Sequence, residues 1–145
     1  RANMIKLARN INNSMPEYTV YKLIEALNEV KLSIKGTKIA LLGLSYKPNV
    51  KDLRESPSLE IERRLLKKGA DLVVYDPYVD RGASSLEEAL EDAQAVVLAT
   101  AHDEIVNNLL DELKDSSVKV IIDGRNSLDK NEISNLGILY FGMGR

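Results

Sequence analysis

Three cations and one aromatic residue carry most of the chemistry this chain can offer. Lys47 and Arg54 fall in the polar segment between Gly43 and Ser56, beside Tyr46, and Arg125 follows later in Asp123-Gly124-Arg125-Asn126. A lysine is a point charge and an arginine a bidentate fork, so the set suits a phosphate-bearing ligand. Ser56-Pro57 opens a helical stretch beside them, where the amides of a helix start also attract anions. Tyr46 offers a ring to stack on a base or shelter a phosphate, with a core tyrosine as the competing reading. Surface ion pairs to Asp52 and Glu55 are the plain alternative for Lys47 and Arg54.

The remaining polar residues at comparable places have structural readings. Asp76 closes an apolar run where a dinucleotide-binding domain places its ribose acid, but Pro77 follows and a turn role competes equally. Asp123 reads as an acceptor for its own loop. His102 stands at a helix start without a serine or cysteine nucleophile pattern, so a structural role is expected for it. Ser56 before Pro57 is a helix cap with proline at the first helical position. The chain has no cysteine and one histidine, which excludes disulfides and thiol catalysis and leaves zinc without a ligand set. No carboxylate pair, triad or metal cluster can be assembled.

Stepwise alternation of pattern says what must hold these residues. Short Val/Ile/Leu-rich runs at Lys38–Leu42, Asp71–Tyr75, Ala95–Ala99, Val118–Ile122 and Ile138–Phe141 suit strands buried on both faces. Helical stretches are expected at Pro57–Lys68, Leu86–Asp92, Glu104–Leu113 and near Lys130–Asn135, with Gly69 just past the end of the first. Strands alternating with helices predict an α/β fold: a small doubly wound, Rossmann-like parallel sheet of about five strands. Its ligand belongs beyond the carboxyl ends of the strands, at the switch point. The loops Gly43–Ser56, Asp76–Ser85, Thr100–Asp103 and Asp123–Leu128 reach that edge. Gly43 stands alone where a dinucleotide fingerprint has Gly-x-Gly-x-x-Gly, so phosphate is expected to meet side chains, or only part of a nucleotide to bind.

Residues 1–34 form a separate helical arm preceding residues 35–145. Met4, Ala8, Ile11 and Met15 recur at helical spacing, and Val20, Leu23, Ile24, Leu27 and Val30 continue it after Pro16. Pro16 either begins a new helix or kinks a continuous one. The apolar face either packs on the following domain or forms a subunit or interdomain interface. A pattern already under way at Arg1 points to the interface, and to the end of a longer helix. At 145 residues and 44% hydrophobic composition the chain is an ordinary globular domain with this appendage. A net charge of −2 argues against a nucleic-acid surface. No apolar run reaches the roughly 18 residues of a membrane span. Freedom from cysteine fits a cytoplasmic location.

Residues Gly43 to Ser58 (Gly-Leu-Ser-Tyr-Lys-Pro-Asn-Val-Lys-Asp-Leu-Arg-Glu-Ser-Pro-Ser) resemble the signature of the UDP-glucose/GDP-mannose dehydrogenase family. Val74-Tyr75-Asp76-Pro77, Asp123-Gly124-Arg125-Asn126 and Tyr140-Phe141-Gly142-Met143-Gly144-Arg145 resemble later landmarks in the same order. Ala8-Arg9-Asn10-Ile11-Asn12 with Met15-Pro16 resembles the end of the family's central helix. The resemblance implies the C-terminal, nucleotide-sugar (UDP) binding domain plus the end of the central dimerisation region. Family members oxidise the C6 alcohol of a nucleotide sugar to a carboxylate while reducing two NAD, through a catalytic cysteine that this chain lacks. A fragment inactive alone is therefore implied, with NAD bound mainly by a missing N-terminal domain. By motif, Tyr46, Lys47 and Arg125 would meet the UDP-sugar and Arg54 would reach NAD, which weakens the case for Asp76 as a cofactor ligand. Partners implied are the UDP-sugar, the missing NAD domain and a second copy through the arm. The motifs look most like the UDP-N-acetylhexosamine branch, with UDP-N-acetylmannosamine as substrate and UDP-glucose as the runner-up. A stand-alone nucleotide-binding or interaction module is the alternative of a different class.

Overall fold

Each predicted strand and helix forms, within a residue or two at its ends. The computed structural model describes residues 2–143, with side chains from Met15 onward. The side chains of Met4, Ala8 and Ile11, and residues Gly144 and Arg145, lie outside the described residues. The order is α1 (Ala2–Glu29), β1 (Lys38–Leu42), α2 (Pro57–Lys67), β2 (Asp71–Tyr75), α3 (Leu86–Leu90), β3 (Ala95–Leu98), α4 (Asp103–Leu113), β4 (Val120–Asp123), α5 (Lys130–Asn135) and β5 (Leu139–Gly142). The strands make one all-parallel sheet in the order β2-β1-β3-β4-β5. The α/β, Rossmann-like expectation is met. The order reverses between β1 and β3, which is the switch point.

Register places the strand ends on a common edge. Leu42 lies beside Tyr75 and Leu98, Leu98 beside Asp123, and Asp123 beside Gly142. The loops after β1, β2, β3 and β4 therefore start level with one another. Short apolar strands explain why no polar alternation is visible: both sheet faces are covered. Ala40, Leu42, Val96, Leu98 and Ile121 face the layer that includes Ile105, Leu109 and Leu113 of α4 and Ile133 of α5. Ile39, Leu41, Val97, Val120 and Ile122 face the opposite layer, with Ile61 and Leu65 of α2.

The arm completes that second layer. Right-handed crossovers running from β2 over to β3, β4 and β5 put α3, α4 and α5 on one face, and only the reverse step β1–α2–β2 puts a helix on the other. The back of β4 and β5 would be bare, and α1 covers it, touching α2, β4 and β5. Val20, Leu23, Ala26 and Leu27 are buried there. Each such leucine removed from water is worth about 1.5–3 kcal/mol. From Val20 onward, packing on the domain accounts for the arm's apolar face. Met15, Tyr18 and Tyr21 point outward instead. Helix α1 runs through Pro16 without a break, so the continuous-helix reading of that proline holds.

Candidate functional site

The loop after β1 is fixed at its root by nearly every polar group it has. Gly43 adopts φ +91°, and a Cβ there would lie 2.5 Å from the Thr100 carbonyl oxygen. Glycine is needed for this close passage between the β1 and β3 loops. The Leu44 and Ser45 amides, at 2.7 and 3.0 Å, both donate to Oδ2 of Asp76. The two carbonyls are taken as well: Ser56 Oγ donates to Leu44 O at 2.6 Å and Thr100 Oγ1 to Ser45 O at 2.6 Å. Ser56 also accepts from the Ser58 amide at 3.2 Å, so it caps α2 as its position before Pro57 predicts.

Two successive amides aimed at one oxygen make an anion seat of the kind that holds pyrophosphate in dinucleotide-binding domains. Here the seat is filled by the protein's own carboxylate. Asp76 is 2% exposed, and its other oxygen accepts the Tyr78 amide at 2.8 Å. The ribose-acid reading of Asp76 is therefore corrected: its carboxylate is buried in the protein and spent on backbone amides. Its turn role with Pro77 is real. Burial pushes the Asp76 carboxyl up, but the His102 contact and the Leu44, Tyr78 and Ser45 amides outweigh it and hold the pKa at about 2.

His102 is fully buried at the start of α4. Its Nδ1 accepts the Asn49 amide at 2.7 Å, which assigns the proton to Nε2, 2.8 Å from Asp76 Oδ2. Ser45 Oγ lies 2.8 Å from the same Nε2 and donates to Asp76 Oδ2 at 3.2 Å. Serine, histidine and aspartate thus meet, yet they make no nucleophilic relay. A relay needs acid and nucleophile on opposite ring nitrogens, and here both are on Nε2. The structural role expected of His102 is the observed one.

The residues singled out as ligands lie outside this root. Tyr46 is 43% exposed, which excludes the core-tyrosine reading, and its amide donates to Asp52 O at 2.6 Å. Lys47 is exposed and makes no ion pair among the described residues. Arg125 crosses from the β4 loop, donating through Nε to Ala99 O at 3.1 Å and through Nη2 to Tyr46 O at 3.4 Å. Arg125 thus meets the backbone of Tyr46, the residue before Lys47, across the switch point. Arg54 is not bonded to them. It forms a two-point pair with Asp52 at 3.1 Å through Nε and Nη2, and this bond holds the exposed Asp52 carboxyl below the ordinary range. The surface-pair alternative is thus realised for Arg54 with Asp52, and not for Lys47. Asp123 accepts the Arg125 and Leu128 amides and the Tyr140 hydroxyl, the loop role its position implied.

Sequence reasoning missed Ser45, Asn49 and Thr100. The role of Asn49 shows only in the fold. α4 opens at His102 without a side-chain cap of its own, and the cap arrives from Asn49, whose Oδ1 accepts the Asp103 amide at 2.9 Å. Among the described residues no group of three potential metal ligands forms.

Residues 40–130 match the UDP-glucose/GDP-mannose dehydrogenase family, UDP binding domain. The chain belongs to this family. It is 36% identical to the UDP-N-acetyl-D-mannosamine dehydrogenase of Pyrococcus horikoshii over 143 residues, 98% of this chain and 34% of that protein. The solved structure from that organism superposes with a TM-score of 0.88 at 37% identity, covering 97% of this chain and 33% of that one. An NDP-N-acetyl-D-galactosaminuronic acid dehydrogenase from Methanosarcina mazei Go1 gives 0.90 at 34% identity, over 96% and 31%. The UDP-glucose 6-dehydrogenase of Bacillus subtilis is 32% identical over 98% of this chain and 34% of its own length. The chain thus spans about a third of the relatives it matches.

Proposed function

We propose that this chain is the nucleotide-sugar-binding part of an NAD-dependent UDP-sugar 6-dehydrogenase, with UDP-N-acetylmannosamine as substrate and the uronate as product. The observation that carries the reading is the family match over residues 40–130, which include the switch-point loops, joined to an exposed cationic edge of Lys47 and Arg125 within that range. Lys47 offsets diphosphate charge, Tyr46 lies along the base or phosphate, and Arg125 closes on the substrate. UDP-glucose is the second reading of the sugar, supported by the Bacillus subtilis relative.

NAD accepts hydride in such reactions, and among the described residues the β1 loop offers it no open amide seat. The Leu44 and Ser45 amides are held by Asp76, and Gly43 is closed against Thr100. Arg54 is the residue we assign to the cofactor, at the edge facing a domain outside this chain. With no cysteine in the sequence, the thiol step we infer for the whole enzyme belongs to a segment outside this chain. Residues 35–145 form the nucleotide-sugar domain in this reading, and residues 1–34 the end of a central dimerisation helix. Met15, Tyr18 and Tyr21, exposed on α1, support self-association through the arm. A cytoplasmic location goes with this reading, and no helix among the described residues is long and apolar enough to cross a membrane.

Calorimetric titration of the chain with UDP, UDP-N-acetylmannosamine and NAD, each alone, tests the assignment. Binding of the two uridine ligands without NAD is expected. NAD binding in preference to them would overturn it.

A further inference from the structure

Tyr46 and Lys47 are exposed, yet they lie on a short arc anchored at both ends. One anchor is Ser45, bonded through its amide, carbonyl and hydroxyl. The other is Asn49. Its amide donates to His102 Nδ1 at 2.7 Å while its Oδ1 accepts the Asp103 amide at 2.9 Å, so adjacent residues of the α4 start exchange two bonds with one residue of the β1 loop. Asn49 adopts φ +62°, a left-handed conformation that asparagine tolerates better than most residues.

We propose that Asn49 and His102 form a clasp that positions Tyr46 and Lys47 for the nucleotide. The inference rests on the UDP reading above and adds positioning residues to it. The clasp does not serve the hydrophobic core: Asn49 is exposed, and neither residue belongs to either apolar layer. What it does is hold the arc. Without it the exposed chain from Pro48 to Lys51 has no anchor of its own, and the arc keeps only longer or flanking ties: Ser45 Oγ to Lys47 O and Arg125 Nη2 to Tyr46 O, both at 3.4 Å, and the Tyr46 amide to Asp52 O. An arc ordered before the ligand arrives spares the ligand the conformational cost of ordering it. The imidazole suits the task because its two nitrogens act oppositely, Nε2 donating toward Asp76 and Nδ1 accepting from the loop.

That division gives a test that stability alone cannot mimic. In His102→Gln the amide keeps a donor for Asp76 and loses the acceptor for Asn49. In His102→Asn a side-chain oxygen stands near the Nδ1 position and the Asp76 bond is lost. UDP affinity is measured by titration for both, beside thermal stability and amide exchange. His102→Gln is expected to weaken UDP binding by roughly tenfold or more, since the ligand must then supply the cost of ordering the arc and its side chains. His102→Asn is expected to stay near wild type in affinity although both variants melt earlier. Equal affinities in the two variants, whether retained or lost, overturn the clasp. Asn49→Gly, which keeps the amide that donates to His102, removes the bond to the Asp103 amide and loosens the left-handed backbone at that end of the arc, is the companion variant should His102 substitutions fail to fold. It must also weaken UDP binding, and unchanged affinity overturns the proposal. Should the wild-type chain show no UDP binding, the UDP reading fails separately. The clasp is then judged by exchange of the Tyr46 and Asn49 amides, which must quicken in His102→Gln and not in His102→Asn.

Discussion

Replacing Asp76 by asparagine keeps the shape of the side chain while removing its charge and turning one acceptor into a donor. The wild-type carboxylate receives the Leu44, Ser45 and Tyr78 amides, together with His102 Nε2–H. The better orientation of an amide at this position turns its oxygen to Leu44, Ser45 and His102 and leaves its NH2 group against the Tyr78 amide. Two donors, the Tyr78 amide and the new NH2 group, then face each other without an acceptor, at a cost of about 1–2 kcal/mol, and the surviving bonds lose their charge assistance. The second part can be sized independently. The Asp76 pKa falls from an ordinary 3.8 to about 2 on folding, a shift worth about 2 kcal/mol of stability. The total expected for Asp76→Asn at neutral pH is therefore about 3–4 kcal/mol, a large share of a small domain's stability of about 5–15 kcal/mol. Because the folded pKa is depressed, the ionisation part is fully present above about pH 4 and is lost as pH falls toward and through about pH 2. Asparagine carries no such group. Urea unfolding of both proteins from neutral to acid pH should show the gap between them narrowing by about 2 kcal/mol. A variant within about 0.5 kcal/mol of wild type at neutral pH, or a gap that stays constant with pH, refutes the reasoning.

Gly43→Ala should cost about 3 kcal/mol or more, combining positive-φ strain with the 2.5 Å approach to Thr100 O, and denaturant unfolding would read it; a cost under about 1 kcal/mol would mean that the loop moves aside freely. Lys47→Ala should weaken UDP-sugar binding by about 1.5–3 kcal/mol, the scale of a charge-assisted contact, with little change in melting temperature; unaltered affinity removes Lys47 from the site. Leu27→Asp places a charge in the buried layer between α1 and the sheet and should cost about 4 kcal/mol or more, whereas Tyr21→Asp, on the exposed side of the same helix, should change the chain's own unfolding free energy by about 0.5 kcal/mol or less. Comparable losses in the two would mean that the arm packs otherwise.

The sheet was legible because its determinants are local. Ile39 to Leu42, Val96 to Leu98 and Val120 to Ile122 are short apolar runs, and no short run of that kind can be satisfied except between two covered faces. Gly69 and Ser56 announced helix ends in the same local way. The arm was legible only in part. Its periodicity gave a helix with an apolar face, but whether that face meets another subunit or its own sheet depends on which side of β4 and β5 the crossovers leave empty. That is a property of the whole topology, and Val20, Leu23 and Leu27 carry no mark of it. The cationic edge could be drawn from Lys47 and Arg125 because both follow strand ends. Asn49 could not, since its partners are more than fifty positions away in sequence at His102 and Asp103.

Under the proposed function, the filled anion seat gives a reason for recognition to fall to those side chains. In a dinucleotide-binding domain the first loop is glycine-rich so that bare amides can approach pyrophosphate. Here the amides of Leu44 and Ser45 answer to Asp76, and the one glycine is required by Thr100 rather than by a ligand. A buried carboxylate at that point also repels a second anion. A phosphate reaching this edge must therefore find its positive charge elsewhere, and the proposed function draws it from Lys47 on the outer arc of the loop and from Arg125 across the strand ends. The long loop between Gly43 and Ser56 follows from the same exchange: side-chain recognition needs a span of backbone that projects, and a projecting span needs anchors of its own. Asp76, His102 and Asn49 supply them in the proposed reading, so one internal carboxylate both fills the amide seat and braces the projecting loop.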